Sequence, residues 1–147
     1  MTRTISHRLD VRDKPEFLHR LMVELSGNAQ LSLEGDLSRC RFTDDVVITR
    51  DETPTLKRNT TAPRQDFVVL RLTPETVDPI FKQVMAAGLK HAIIHVQIER
   101  NGVPELGAYD NFHPECVVTG PGVSSVLLEE LKNANVLRAF KVAELKQ

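Results

Sequence analysis

No window of this chain approaches the roughly 18 consecutive apolar residues of a membrane-spanning helix. The opening Met1-Thr2-Arg3-Thr4-Ile5-Ser6-His7 also lacks the apolar centre of a signal peptide. A cytoplasmic protein is therefore expected. An excess of one charge is missing too: 19 Lys and Arg stand against 20 Asp and Glu, for a formal charge of -1. Without a positive field to draw the chain to nucleic acid or to an anionic bilayer, both drop out as partners. Cysteine is scarce, at two residues. A domain of this size without an export signal needs no disulfide, so Cys40 and Cys116 are read as free thiols. Internal repeats, low-complexity tracts and linkers rich in Gly, Ser or Pro are absent. The one glycine-rich turn, Gly120-Pro121-Gly122, fits neither phosphate-binding loop pattern, and no cofactor is expected.

What remains is a chain of 147 residues, 41% hydrophobic and 27% charged, read as one domain over 1–147 with an ordinary core. At that length folding buries roughly 68–70% of the surface that the unfolded chain exposes. Asp13 and Glu16 form an Asp-x-x-Glu variant of the capping box, with Pro15 in the first turn, and Phe17, Leu18, Leu21, Met22 and Leu25 line one helix face until Gly27 and Asn28 stop it. Ala29 to Leu37 alternates apolar and polar residues as a strand with one buried face. A further strand covers Arg39 to Thr43 or Val46 to Thr49. Phe67 to Leu72 is nearly continuous in β-formers and reads as a central strand. A second helix follows, with Val77, Ile80, Phe81, Val84 and Met85 at helical spacing, Asp78 as its cap and Gly88 at its end. A third, from about Ser124 to Asn133, buries Leu127, Leu128 and Leu131, and a terminal strand over Val136 to Val142 adds Phe140 and Val142 to the core. This order predicts an α+β fold, a mainly antiparallel sheet with about three helices packed on one face.

His91 to Glu99 reads as a strand with Ala92, Ile94, Val96 and Ile98 facing the core, and Asn101-Gly102 marks a hairpin. A two-residue Asn101-Gly102 loop sets Val96 against Gly107 and turns Leu106 and Ala108 to the polar side. A three-residue loop, Arg100 to Gly102, sets Val96 against Leu106 and Ile94 against Ala108, and the apolar pattern favours it. The other face of the hairpin then carries His91, Ile93, His95, Gln97 and Glu99 beside Glu105, Gly107, Tyr109 and Asn111. That polar face, joined by Glu34 and Asp36 as an acidic patch, is expected to meet a partner. Gly107 opposite His95 leaves a gap for an imidazole or a ligand.

Chemistry is densest in Tyr109-Asp110-Asn111-Phe112-His113-Pro114-Glu115-Cys116. Asp110, His113, Glu115 and Cys116 are legitimate metal ligands, but one Cys and one His around a proline match no metal-site spacing, and no metal is assigned. His91 and His95, about 13 Å apart along a strand, cannot grip one ion by themselves. Cys116 with His113 or His95 would make a nucleophile only if its pKa were lowered and a base lay within reach. A second feature is the run from Arg50 to Gln65, polar and without apolar period. Loops beyond about 12–15 residues are uncommon in compact domains and are usually functional or disordered. Its Lys57, Arg58 and Arg64 are candidates for holding an anion.

Two functions follow as expectations. In the first, favoured because no catalytic set is convincing, the chain is a protein-interaction or regulatory domain. It is immunity-type or homodimeric and uses the polar sheet face and the Tyr109–Glu115 loop, with His95, Tyr109, Asn111, Glu115, Glu34 and Asp36 in contact. In the alternative it is a small enzyme or ligand-binding protein with Asp110, His113 and Cys116 at a pocket closed by the Arg50–Gln65 loop. That alternative requires Asp110 and His113 to converge with His95 or Glu34 at one concavity.

Overall fold

The apolar stripes of three helices and the alternating faces of eight strands fold into one layered structure, seen in a computed structural model that describes residues 5–144. Strands β1 (Ile5–Val11), β2 (Ala29–Gly35), β3 (Val47–Thr49), β4 (Asp66–Leu72), β5 (Ile93–Arg100), β6 (Val103–Ala108), β7 (Val117–Thr119) and β8 (Leu137–Glu144) form a single antiparallel sheet in the order β3-β4-β2-β5-β6-β7-β1-β8. Helices α1 (Lys14–Leu25), α2 (Val77–Ala87) and α3 (Ser125–Asn133) each bury one apolar stripe in the same core as Leu31, Leu33, Val68, Leu70, Val96 and Ile98. This is the α+β architecture that the element pattern predicts.

Local signals set the helix starts. Asp13 accepts the Glu16 N–H at 3.1 Å, and Ser124 accepts that of Leu127 at 3.2 Å. In α1 the five apolar residues read from the sequence are all buried. The cap of α2 is Thr76 and not Asp78, which lies in the first turn beside His19. Of the alternatives for the strand after Leu37, Val46 to Thr49 is the one that pairs, as β3. Strand β1 escapes the sequence because its inward position His7 interrupts an otherwise apolar alternation with Leu9 and Val11. It becomes a strand through β7 and β8 on either side. In β8, Phe140 packs against the core, but Val142 is exposed on this edge strand.

The hairpin departs from the expected register. Arg100 pairs with Val103, so the turn is the two-residue Asn101-Gly102, both residues with positive φ (53° and 78°). A bulge then leaves Glu105 unpaired, and Ile98 meets Leu106 while Val96 meets Ala108. An unbroken ladder forces a three-residue loop to keep the apolar residues inward. One extra residue in β6 achieves the same phase correction. Glu105 has a use there: its carbonyl accepts the Gly120 N–H and its carboxylate the Gly122 N–H, so the Gly-Pro-Gly turn wraps a buried carboxylate.

A second bulge joins β2 to β5. Glu34 pairs with His95 and Gly35 with Ile93, skipping Ile94. The skip puts Ile93 in the core, where the sequence pattern placed Ile94, and leaves His91 exposed in the preceding turn and outside the strand. Gly35 (φ 149°) allows this: the Ala92 carbonyl comes so close that a Cβ on residue 35 would lie 2.0 Å from it. Gly35→Ala is expected to lower stability by about 3 kcal/mol in urea unfolding. Gly27→Ala, with a positive φ but nothing within 4 Å, should cost about 1 kcal/mol, the conformational part alone. Equal losses for the two would refute the close approach.

Candidate functional site

The sheet face turned away from the helices carries Ser32, Glu34, His95 and Gln97 at adjoining register positions. These are polar side chains on interior strands, and they are covered by the chain between β3 and β4. Leu56 from that segment is buried with Phe67 and Val69. Next to this apolar plug the segment binds through its backbone. The Glu34 carboxylate accepts the N–H groups of Asn59 (2.8 Å) and Thr60 (3.1 Å), and the Gln97 amide donates to the Lys57 carbonyl (2.7 Å) and to Ser32 Oγ (3.1 Å). His95 ties this segment to the other loop. Its Nδ1 accepts the Asp110 N–H at 3.2 Å, so Nε2 carries the proton and donates to Thr60 Oγ1 at 2.7 Å.

This arrangement corrects the expected contact surface. Glu34 and His95 are 1% and 2% exposed, so the polar stripe is internal and serves as the seat of the chain's own loop. Asp36 does not join Glu34 in an acidic patch. Beyond the Gly35 bulge it is exposed near Lys90 and His91, with its pKa lowered by hydrogen bonding to Ser38. The gap above Gly107 is taken: Gly107 pairs with Gln97 and not with His95, and the Tyr109 phenol folds over it. Burial raises the Tyr109 pKa, and its ring tilts against His95 at 5.7 Å.

The Tyr109–Glu115 loop is held in an unusual backbone shape. Asp110, Asn111 and Phe112 are three consecutive non-glycine residues with φ of 51°, 56° and 63°. Left-handed conformation costs roughly 1–2 kcal/mol per residue, so contacts must offset it. The Asn111 N–H donates to the Ile94 carbonyl (2.9 Å), its side-chain amide to that of Ile93 (2.8 Å), and its own carbonyl accepts from Lys14 Nζ (2.7 Å). Phe112, 2% exposed, packs edge-on against Phe17 at 6.2 Å. Burying such a ring contributes about 3–5 kcal/mol as measured by truncation. Asn111 is thus an anchor rather than a contact residue. Phe112, which sequence reasoning passed over, is the second; an aromatic among charged and polar neighbours was its one signal. Outside these anchors stand Asp110, His113, Pro114 and Glu115, all exposed.

Asp110 and Cys116 are brought together, with Sγ 3.7 Å from Oδ2. His113 stays apart, its Nδ1 accepting the Glu115 N–H at 3.2 Å. Desolvation, with the Asp110 carboxylate beside it, raises the Cys116 pKa, the opposite of what a nucleophilic thiol requires. Among the described residues no three His, Cys, Asp or Glu are grouped to hold a metal ion, both cysteines are free, and no helix is long and apolar enough to cross a membrane. Of the loop cations, Lys57 points to solvent, while Arg58 and Arg64 share a concavity with Arg50, which the sequence reading left out although it opens the same polar run. No protein-family model, curated protein or solved structure matches the chain.

Two outcomes check this geometry. Glu34→Ala should lower stability by about 2–3 kcal/mol, the scale of hydrogen bonds to a charged group, and open residues 50–65 to limited proteolysis. Cleavage elsewhere, or none, would contradict the seating of the loop. At pH 8 Cys116 should alkylate more slowly than a free thiol because its raised pKa leaves less thiolate. Asp110→Asn should speed the reaction, and an unchanged rate would show that the carboxylate does not act on the thiol.

Proposed function

We propose that this chain is a protein-interaction or regulatory domain of the cytoplasm that docks a separate protein through the Asp110–Glu115 loop. The observation that carries the reading is the left-handed triplet at Asp110, Asn111 and Phe112, anchored from below by Asn111 and Phe112. A loop held in one costly conformation while its outer side chains stay exposed is pre-organised, and little further entropy is lost when a partner binds. The exposed carboxylates of Asp110 and Glu115 call for a basic partner surface. A second copy docking through the same loop would set like charges against each other, so a distinct partner is favoured over a homodimer. An immunity-type inhibitor, which needs only a complementary surface for its target, is one form of such a domain. The two free thiols suit a reducing compartment. The sheet face, expected to share in the contact, is left out because the 50–65 segment covers it.

The test is co-purification from the source cells with Asp110→Asn/Glu115→Lys, in which Asn tolerates the left-handed backbone. Glu129→Lys, on the exposed face of α3, is the control. One stoichiometric basic partner is expected on the wild type and on Glu129→Lys. It should bind the double variant at least tenfold more weakly, or about 1.4 kcal/mol, with circular dichroism unchanged. A partner held equally by all three proteins would overturn the proposal, as would a homodimer by light scattering that survives the double substitution.

A further inference from the structure

Residues 50–65 carry Arg50, Asp51, Glu52, Lys57, Arg58 and Arg64 in a chain of net charge -1. Pinning this segment to Glu34, His95 and Gln97 decides what its outer surface presents. Three of its cations, Arg50, Arg58 and Arg64, line one concavity of about 480 Å³ together with Leu37, Gln65 and Asp66. That volume lies in the range of small-molecule sites.

Two observations separate this cluster from a solvated surface loop. First, Arg58 is half-buried and fixed. Its guanidinium lies 5.0 Å from the centre of the Phe67 ring, and Nη1 donates to the Gln65 carbonyl at 2.6 Å. Second, two of the neighbouring carboxylates are used on backbone groups, Glu52 accepting the Arg58 N–H at 2.9 Å and Asp66 that of Leu37 at 3.0 Å, and Asp51 makes no ion pair with the three arginines. Among the described residues none of the three guanidinium groups is in an ion pair. Three cations gathered around one concavity repel one another until an anion joins them.

We propose that the Arg50, Arg58 and Arg64 concavity binds a phosphoryl group of a small molecule. A guanidinium offers a planar fork of donors, and a phosphoryl group accepts more forks than a carboxylate with its two oxygens. Its charge near -2 also matches three cations facing one carboxylate. The site is independent of the Asp110–Glu115 loop, and its ligand would be a second input to the same domain.

The test is isothermal titration calorimetry at fixed ionic strength with pyrophosphate, a nucleoside diphosphate and acetate. One phosphate compound per chain is expected to bind saturably and to weaken as salt rises. Affinity should fall at least tenfold in Arg50→Gln/Arg64→Gln and hold in Lys57→Gln. Arg58→Ala also removes the Phe67 contact, so the double variant, checked for an unchanged urea midpoint, is decisive. Tighter binding of pyrophosphate assigns the site to a free phosphate, and tighter binding of the nucleotide to an ester; either supports the proposal. The proposal is overturned by no saturable binding of either, by equal binding of acetate, or by unchanged affinity in the double variant.

Discussion

A carboxylate on an interior strand, withdrawn from water, must be given donors, and Glu34 receives them from the backbone of Asn59 and Thr60. That requirement organises one whole side of the molecule. Ser32, Glu34, His95 and Gln97 would be an ordinary wet sheet face if left open. Once covered, each needs a partner: the 50–65 segment supplies N–H groups to Glu34, a hydroxyl to His95 and a carbonyl to Gln97, whose amide also reaches Ser32. The segment gains a fixed path without regular secondary structure, because its bonds to the sheet are joined by local ones along it, such as Glu52 to the Arg58 N–H and Thr53 Oγ1 to that of Leu56.

His95 carries this constraint further. One ring nitrogen holds Thr60 and the other holds the Asp110 N–H, so the long segment and the Tyr109–Glu115 loop are positioned from a single buried imidazole. The left-handed backbone of Asp110 to Phe112 depends on the same economy of contacts. Its strain is local, and the burial of Phe112 against Phe17 and the bonds of Asn111 to the Ile93 and Ile94 carbonyls at the start of β5 are what offset it. Both surfaces, the acidic loop and the arginine concavity, are outward sides of segments joined inward through His95, while Asn111 and Phe112 fix the acidic loop on the helix side of the sheet.

The α+β class and the helices were legible because their signals are local. Asp13 with Glu16, Ser124, and the spacing of Phe17, Leu18, Leu21, Met22 and Leu25 act within one or two turns of their own helix. The hairpin was legible only in part. The alternation showed that Val96, Ile98, Leu106 and Ala108 share a face, but the bulge at Glu105 changes register without changing face, so the pattern that betrays a slip was unaltered. At Gly35 the opposite holds: the bulge exchanges Ile93 for Ile94 in the core, and two adjacent isoleucines leave no pattern from which to read it.

Residue order alone is enough to read an α+β domain, a polar stripe along β2 and β5, chemistry gathered at 110–116 and cations at 57–64. Residue type and period carry that information, since each strand residue knows which of two faces it takes. Long-range packing is what makes the stripe internal, turns Asn111 and Phe112 inward and Asp110, His113 and Glu115 out, and brings Arg50 to Arg58 and Arg64. A polar side chain is equally at home against water and against backbone donors. Which one it meets depends on where a segment distant in sequence comes to lie, and alternation within a strand does not record that.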